Sequence, residues 1–368
     1  MIQEKIFLLI PDMGPGGAER VMSTLANRWA EEKRDVTLVL VTDNSKTSIY
    51  RLAPSLRVID LGYRGKGCLQ RIYGKVLSFF RFLRLVRRER PDAVLSFLTQ
   101  ANVMNVFTHV FVRYRCVISE RDNMYHGLFF DLFIRSMFRF ADGIIAQTTM
   151  SKDRLSEKTG NQAIEVIPNP IDVRRFSKSE PQNEQKIIIN LGRLIPEKGQ
   201  NCLISVFASL SKDFPEWRLA VYGAGPLKEN LKKLAESLAV IDRVEIHDPS
   251  PEVPELLANS SIFAFPSFSE GFPNSLAEAM IAGKACVSFD CDCGPRDMIE
   301  NGVNGILIPV DDTNALKKSL RSLMESPELR RSMGERAREL SDWLSVENVS
   351  THFWDFTVGT AEPFRKRI

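Results

Sequence analysis

Two short stretches in the second half of the chain gather residue types that handle charge. The segment SFSEGFPNSLAEAM carries Glu270 and Glu278 with seven residues between them. Upstream, GRLIPEKG places Arg193 and Lys198 five positions apart behind an apolar run. Both stretches sit between a strand-like run and a helical pattern, so they read as neighbouring strand-to-helix loops. The cations can neutralise a diphosphate, Arg as a planar fork and Lys as a point charge. A loop plus one helical turn puts the glutamates on the order of 10 Å apart. That is too far for the carboxylate pair of a retaining hydrolase, and it suits a grip on two parts of one nucleotide-sugar. Glu278 would accept from ribose hydroxyls and Glu270 from the sugar, with the first-turn amides of Asn274 and Ser275 at the phosphates.

Other motifs carry less on their own. In PDMGPGGAER, Gly14, Gly16 and Gly17 follow the first strand and precede a helix, which lets backbone approach a ligand. The spacing is not G-x-G-x-x-G. GAGPLKEN at 223–230 is another glycine turn, but Lys228 stands where a dinucleotide fingerprint has its third glycine. It reads as a backbone turn near a nucleotide. Asp290-Cys291-Asp292 has the D-x-D form of a cation site, yet it trails a strand in a half already supplied with cations. It reads as a polar loop, and no metal is expected. The histidines at 109, 126, 247 and 352 have no ligand spacing, and no G-x-S-x-G is present.

The segment RIYGKVLSFFRFLRLVRRER at 71–90 is a basic amphipathic helix. Ile72, Val76, Phe79, Leu83 and Val86 form the stripe expected to pack on a sheet. Arg81, Arg84 and Arg88 share another face with Leu77 and Phe80 beside them. Cations with exposed apolar neighbours suit a membrane surface or a lipid pyrophosphate; the plainer alternative is a solvated arginine-rich helix. Nucleic acid is not an expected partner, because the basic charge is confined to one helix and the net charge is only +3.

These residues need a frame. At 368 residues, with 44% hydrophobic and 26% charged content, the chain should form two globular domains. No apolar run is long enough to cross a bilayer, and MIQEKIFLLI reads as a buried strand, not a leader. Six scattered cysteines (68, 116, 202, 286, 291, 293) suit reduced thiols in the cytoplasm. Strands are expected at 5–10, 35–41, 92–97, 116–120 and 143–148, then again at 186–192, 217–223, 261–266 and 284–289. Helices fall between them, near 18–32, 199–212, 226–240 and 274–283. This is an α/β pattern of two doubly wound halves, broken by a polar, proline-marked stretch at about 169–185. Ligands in such sheets bind at the carboxyl ends of the strands.

In order, GPGGAER, VIPNPID, GRLIPEKG, GAGPLKENL and SEGFPNSLAEAMIAGKACVSFD resemble the motifs of family 4 retaining glycosyltransferases, including their E-x7-E element. The resemblance covers nearly the whole chain and is most specific in 163–310. It implies a GT-B architecture: two Rossmann-like domains facing across a cleft. The first, 1–170, would bind the acceptor, with a C-terminal helix at about 345–358 packing back on it; the second, 186–340, would bind the nucleotide-sugar. It also implies a UDP-sugar donor without a metal or other cofactor. By position, Arg193 and Lys198 would bind the diphosphate, Glu270 the sugar near the reacting carbon, and Glu278 the ribose. Gly16, Gly17, Asn274 and Ser275 would join them in holding the donor.

The motifs are most similar to a subgroup that builds bacterial lipid-linked oligosaccharides or surface polysaccharides, N-acetylgalactosamine transferases among them. There a basic helix engages the pyrophosphate of a polyprenyl carrier, and 71–90 with Arg81, Arg84 and Arg88 is the matching segment. Glu120 and Arg121 would also serve the acceptor. The chain departs from the family at SERDN, where Arg121 replaces a frequent histidine, at Pro273, where many members have glycine, and at His247-Asp248-Pro249. The resemblance thus implies a cytoplasmic enzyme at the inner membrane face, moving a sugar to a lipid-linked glycan. A soluble acceptor is the alternative. From another class, an NAD-binding oxidoreductase is opposed by the missing third glycine.

Overall fold

Apolar runs of five or six residues form parallel strands here because helices cover both of their faces. The computed structural model describes residues 4–42, 48–62, 68–121, 136–176 and 185–361. Side chains at 68–72 fall outside that description, as do His126 and residues 177–184 of the expected linker. Two units are distinguished, one of Met1–Pro170 with Val346–Arg367 and one of Ile171–Ser345.

The first unit contains β1 (Lys5–Ile10), β2 (Asp35–Leu40), β3 (Arg57–Asp60), β4 (Ala93–Phe97), β5 (Arg115–Ser119), β6 (Gly143–Ala146) and β7 (Ile164–Val166). They pair in the order β3-β2-β1-β4-β5-β6-β7, every pair parallel. Helices α1 (Gly17–Glu31), α2 (Cys68–Glu89), α3 (Thr99–Phe111) and α4 (Thr149–Thr159) connect them. In α1, Val21, Met22, Leu25, Ala26 and Trp29 recur at helical spacing and are buried, while Glu19 and Arg28 complement the two ends of the helix dipole.

The second unit repeats the pattern with β8 (Ile187–Leu191), β9 (Arg218–Tyr222), β10 (Val244–His247), β11 (Ile262–Phe265), β12 (Ala285–Phe289) and β13 (Ile306–Ile308). Their order is β10-β9-β8-β11-β12-β13, again parallel. The helices are α5 (Gln200–Leu210), α6 (Lys228–Ser237), α7 (Val253–Ala258), α8 (Asn274–Ile281), α9 (Pro295–Met298), α10 (Thr313–Glu325), α11 (Pro327–Arg338) and α12 (Leu340–Leu344). The two ends of this unit adjoin, since the Ile171 amide donates to the Leu344 carbonyl at 2.8 Å.

A last helix, α13 (Val346–Val358), belongs to the first unit. Its Trp354 meets Trp29 edge-on at 5.1 Å, and its Phe353 lies 6.0 Å from Phe97. The Trp29 indole donates to the Ser350 carbonyl at 3.1 Å.

Two features differ from the sequence reading. The strands β3, β7, β10 and β13 were not anticipated, and all four are sheet edges, short and only partly buried. In α2 the packed face is Ser78, Phe82, Leu83, Leu85 and Val86, whereas Val76 is 49% exposed and Phe79 half-buried. Phe82 supplies the larger apolar volume, and the Ser78 hydroxyl is satisfied by the Val41 carbonyl at 3.2 Å, so the helix turns that way.

Candidate functional site

In the second sheet β8 and β11 are neighbours from which the connections run in opposite directions, and such a switch point opens a crevice at the strands' carboxyl ends. The loop after β8 carries Arg193 and Lys198; the loop after β11 carries Glu270. Buried amides tie the two together. Asn190 donates to the Ala264 carbonyl at 2.8 Å, and Gln200 to the Arg193 carbonyl at 3.0 Å. The Phe268 amide donates to the Glu197 carbonyl at 2.8 Å. Gly199 closes the turn at φ 65°, and a Cβ there would collide with the Pro266 carbonyl. The loops are therefore pressed together, and Lys198 Nζ reaches Glu270 Oε1 at 2.5 Å. Their side chains are 13% and 10% exposed. Arg193 is exposed and has no ion pair among the described residues.

The GAG turn has a structural use. Gly223 and Gly225 lie against the carbonyls of Gly192 and Leu194, where no side chain fits. The Leu194 amide donates to Ala224 at 2.9 Å and the Leu227 amide to Leu194 at 3.1 Å. These glycines stitch the Arg193 loop to the end of β9, and Lys228 pairs with Asp248 at 2.6 Å. The D-x-D loop is likewise committed, because Arg296 holds Asp290 through two bonds of 3.0 and 2.7 Å. Among the described residues no group of three or more His, Cys, Asp or Glu side chains converges as a metal site would require.

In α8, Glu278 is buried between Leu276, Ala277, Ala279 and Met280. A carboxylate is not what packing alone would place there. Of the first-turn amides expected at a phosphate, that of Asn274 donates to the Phe272 carbonyl at 3.0 Å. Pro273 ahead of the helix forces that tight turn. Sequence reasoning missed Asn190, Gln200 and Cys291. Cys291 is fully buried, its thiol pushed up to about 12, chiefly by burial, with the Glu270 charge adding and the Lys198 charge opposing. For Asn190 the available signal was a polar residue interrupting the apolar run KIIINLG; Gln200 and Cys291 carried no comparable mark.

In the first unit the switch point lies between β1 and β4. Gly16 caps α1, its carbonyl accepting from the Tyr50 hydroxyl at 2.8 Å, and Gly17 is exposed with open space around it. The Glu19 carboxylate covers Gly16, and its pKa is raised, mainly by burial. At the end of β5, Glu120 accepts from the Thr99 hydroxyl and the Arg121 amide, both at 3.2 Å. Arg121 donates to Ser119 Oγ at 3.2 Å and Asn169 Oδ1 at 2.6 Å, its guanidinium 4.0 Å above the Phe97 ring.

The α2 arginines do not act as one set. Arg81 donates to the Leu61 and Gly62 carbonyls at 2.6 and 2.9 Å, and Arg88 to Glu89 at 2.9 Å. Arg84 is exposed and has no ion pair among the described residues.

Comparison with known proteins divides the chain in the same way. The model for Glycosyltransferase Family 4 matches residues 15–175, and that for Glycosyl transferases group 1 matches 173–340. An uncharacterized glycosyltransferase of Haemophilus influenzae is 27% identical over 355 residues, covering 94% of this chain and 98% of that protein. The N-acetylgalactosamine-N,N'-diacetylbacillosaminyl-diphospho-undecaprenol 4-alpha-N-acetylgalactosaminyltransferase of Campylobacter jejuni is 25% identical over 352 residues, covering 91% and 94%. The crystal structure of Anabaena HepE in complex with UDP superposes with a TM-score of 0.82 at 20% identity, covering 95% and 98%. The two family models between them account for residues 15–340, and the chain belongs to the family 4 glycosyltransferases, with their GT-B fold.

Proposed function

We propose that the enzyme moves a sugar, N-acetylgalactosamine or another hexose or N-acetylhexosamine, from a UDP-sugar to a hydroxyl of a lipid-linked glycan, during assembly of a bacterial surface polysaccharide or lipid-linked oligosaccharide. The observation that carries this reading is the Lys198–Glu270 pair at the switch point, with Arg193 exposed on the same loop and in no ion pair among the described residues. The C1–O bond to the diphosphate breaks while the acceptor oxygen bonds C1 on the same face, retaining the anomeric configuration. The departing diphosphate takes the hydroxyl proton. Arg193, Lys198 and the Ser275 amide stabilise the growing charge on that group. Glu270 orients the sugar through its hydroxyls, and Glu278 holds the ribose. The two cations do the work of a counter-ion, so no metal is required.

The Campylobacter relative's name specifies a diphospho-undecaprenol-linked acceptor, which supports a lipid-linked one here. So does a face of the first unit. Tyr73, Val76 and Phe80 of α2, Phe107, Val110 and Phe111 of α3, and Phe140 are large apolar side chains exposed to solvent. Phe79 joins the two helices at one point, 5.5 Å from Phe80 and 6.4 Å from Phe111. Arg84, Arg87, Arg113 and Arg139 are exposed on the same segments. Cations beside aromatic rings suit the surface of an anionic bilayer, in keeping with peripheral attachment at the cytoplasmic face. Among the described residues no helix is long and apolar enough to cross a membrane.

The test is to incubate the protein with a panel of UDP-sugars and bacterial lipid extract, following UDP release and product mass. A glycolipid heavier by one sugar is expected. A mass gain only in the water-soluble fraction would favour a soluble acceptor, and no transfer from any donor would sink the proposal.

A further inference from the structure

We infer that the Arg121 guanidinium is a binding site for an oxyanion of the substrate, a carboxylate or a phosphoryl group, and thereby sets which substrates the first unit accepts. The inference rests on the glycosyltransferase reading only for the nature of that substrate.

A guanidinium has five N–H donors. Here Nε donates to Ser119 Oγ and Nη1 to Asn169 Oδ1, which leaves three unused. Nη2 is enclosed and has no hydrogen-bond partner among the described residues. No carboxylate forms an ion pair with the group among the described residues. Glu120 is adjacent in the chain, but its carboxylate accepts from Thr99, Asn102 and the Arg121 backbone amide instead. The residue is part-buried with Nη2 withdrawn from water; a cation so placed without an anion is costly, and buried charges in native proteins are paired. The ring faces of Phe97 at 4.0 Å and Phe353 at 5.6 Å offset part of that cost. The remainder shows in the guanidinium itself, whose pKa burial depresses to about 9.

Placement and rigidity add to this. Arg121 lies at the carboxyl edge of the sheet, where ligands of doubly wound folds bind. Beside it, Leu98 at the end of β4 holds φ 72°, a strained conformation for a non-glycine residue. Asn169 Oδ1 accepts from both Arg121 and Gln147, the latter at 2.9 Å, so the fork is fixed in orientation before any ligand arrives. A residue needed only to clamp Ser119 to Asn169 could be neutral; a planar cation with spare donors matches an oxyanion.

The test uses the full chain with Arg121→Gln and Arg121→Lys, with Arg193→Ala as a control for anions bound in the second unit. Sodium pyrophosphate and sodium glucuronate are the phosphoryl and carboxylate probes, read by the shift in melting temperature. At least one probe should stabilise the wild type and the Arg193→Ala variant; on the Arg193→Ala background, Arg121→Gln should abolish that shift and Arg121→Lys should weaken it. The probe that works identifies the source. In transfer assays KM for the anionic substrate should rise about 30-fold in Arg121→Gln, in line with loss of a charge-assisted pair, with kcat changed less. Stabilisation unchanged by Arg121→Gln on the Arg193→Ala background, or absent from the wild type with both probes, overturns the inference. So does an equal loss of turnover on charged and neutral substrates. Failure of transfer with every donor, while the probe shift persists, would count against the proposed function alone.

Discussion

Lys198 Nζ lies 2.5 Å from Glu270 Oε1, although the two residues are 72 positions apart in the chain. The contact joins the two loops that flank the switch point, and each charge offsets the desolvation of the other. Structural and chemical roles coincide in this pair, but they can be separated.

Replacing either residue by Ala should cut turnover by roughly 100- to 1,000-fold, the scale for loss of a group that stabilises developing charge or positions the sugar. Each single change should also lower stability by about 1–3 kcal/mol, because a largely buried charge loses its partner. The double variant should recover part of the stability and none of the activity. Urea unfolding and UDP-release assays on the three proteins test this. Near-normal turnover in both single variants would remove the pair from the mechanism.

Gly199→Ala should destabilise the second unit by more than about 2 kcal/mol, since a positive φ and a backbone collision act together. Gly302 is the internal control. It has φ 81° but open space around its Cα, so Gly302→Ala should show only the conformational cost, about 1 kcal/mol. Equal effects in the two variants would mean that close packing against Pro266 contributes nothing.

Glu89 is held at a pKa of about 2, first by hydrogen bonding from Arg57, then from Lys5 and Arg88. Its ordinary value is 4.5, so the folded state binds fewer protons than the unfolded one between these limits. Stability from this group is complete above about pH 4.5 and disappears as pH falls towards 2. Wild type should therefore melt above Glu89→Gln at neutral pH, and the gap should close over that acid window. A gap that stays constant across it would contradict the assignment. The cluster is partly exposed, so salt should shrink the effect.

Phe353→Ala should cost about 3–5 kcal/mol, the usual range for emptying a buried aromatic site. The loss should appear in the first unit, where Phe353 packs by Phe97 and Trp354 by Trp29. Hydrogen exchange resolved by peptide would locate it; increased exchange confined to 171–345 would refute it.

What could be read from the sequence follows burial. Strands covered on both faces, such as Phe7–Ile10 or Phe263–Phe265, announce themselves as apolar runs. The four strands missed are edges such as Arg57–Asp60, where partial exposure lets polar residues in and erases the signal. Arg193, Lys198 and Glu270 were recognisable by type and spacing. Contacts made between loops were not: Gly223 against Gly192, Gln200 on the Arg193 carbonyl, and the Asn274 amide turned to Phe272 depend on how distant backbones approach. The face of α2 was misjudged for a related reason. Its stripe is apolar over too wide an arc for periodicity to choose between Val76 and Phe82.

The adjoining ends of Ile171–Ser345 also bear on how the protein is made. That segment is continuous, so on the ribosome it can complete its own sheet as soon as it has emerged. The first unit cannot do the same, although its strands are synthesised earlier. Trp29 and Phe97 lack Trp354 and Phe353 until α13 has been translated. An apolar surface thus stays uncovered while some 175 further residues are added, roughly ten to thirty-five seconds at bacterial elongation rates. Chaperone demand should concentrate in that interval, and on the half of the molecule whose synthesis began first.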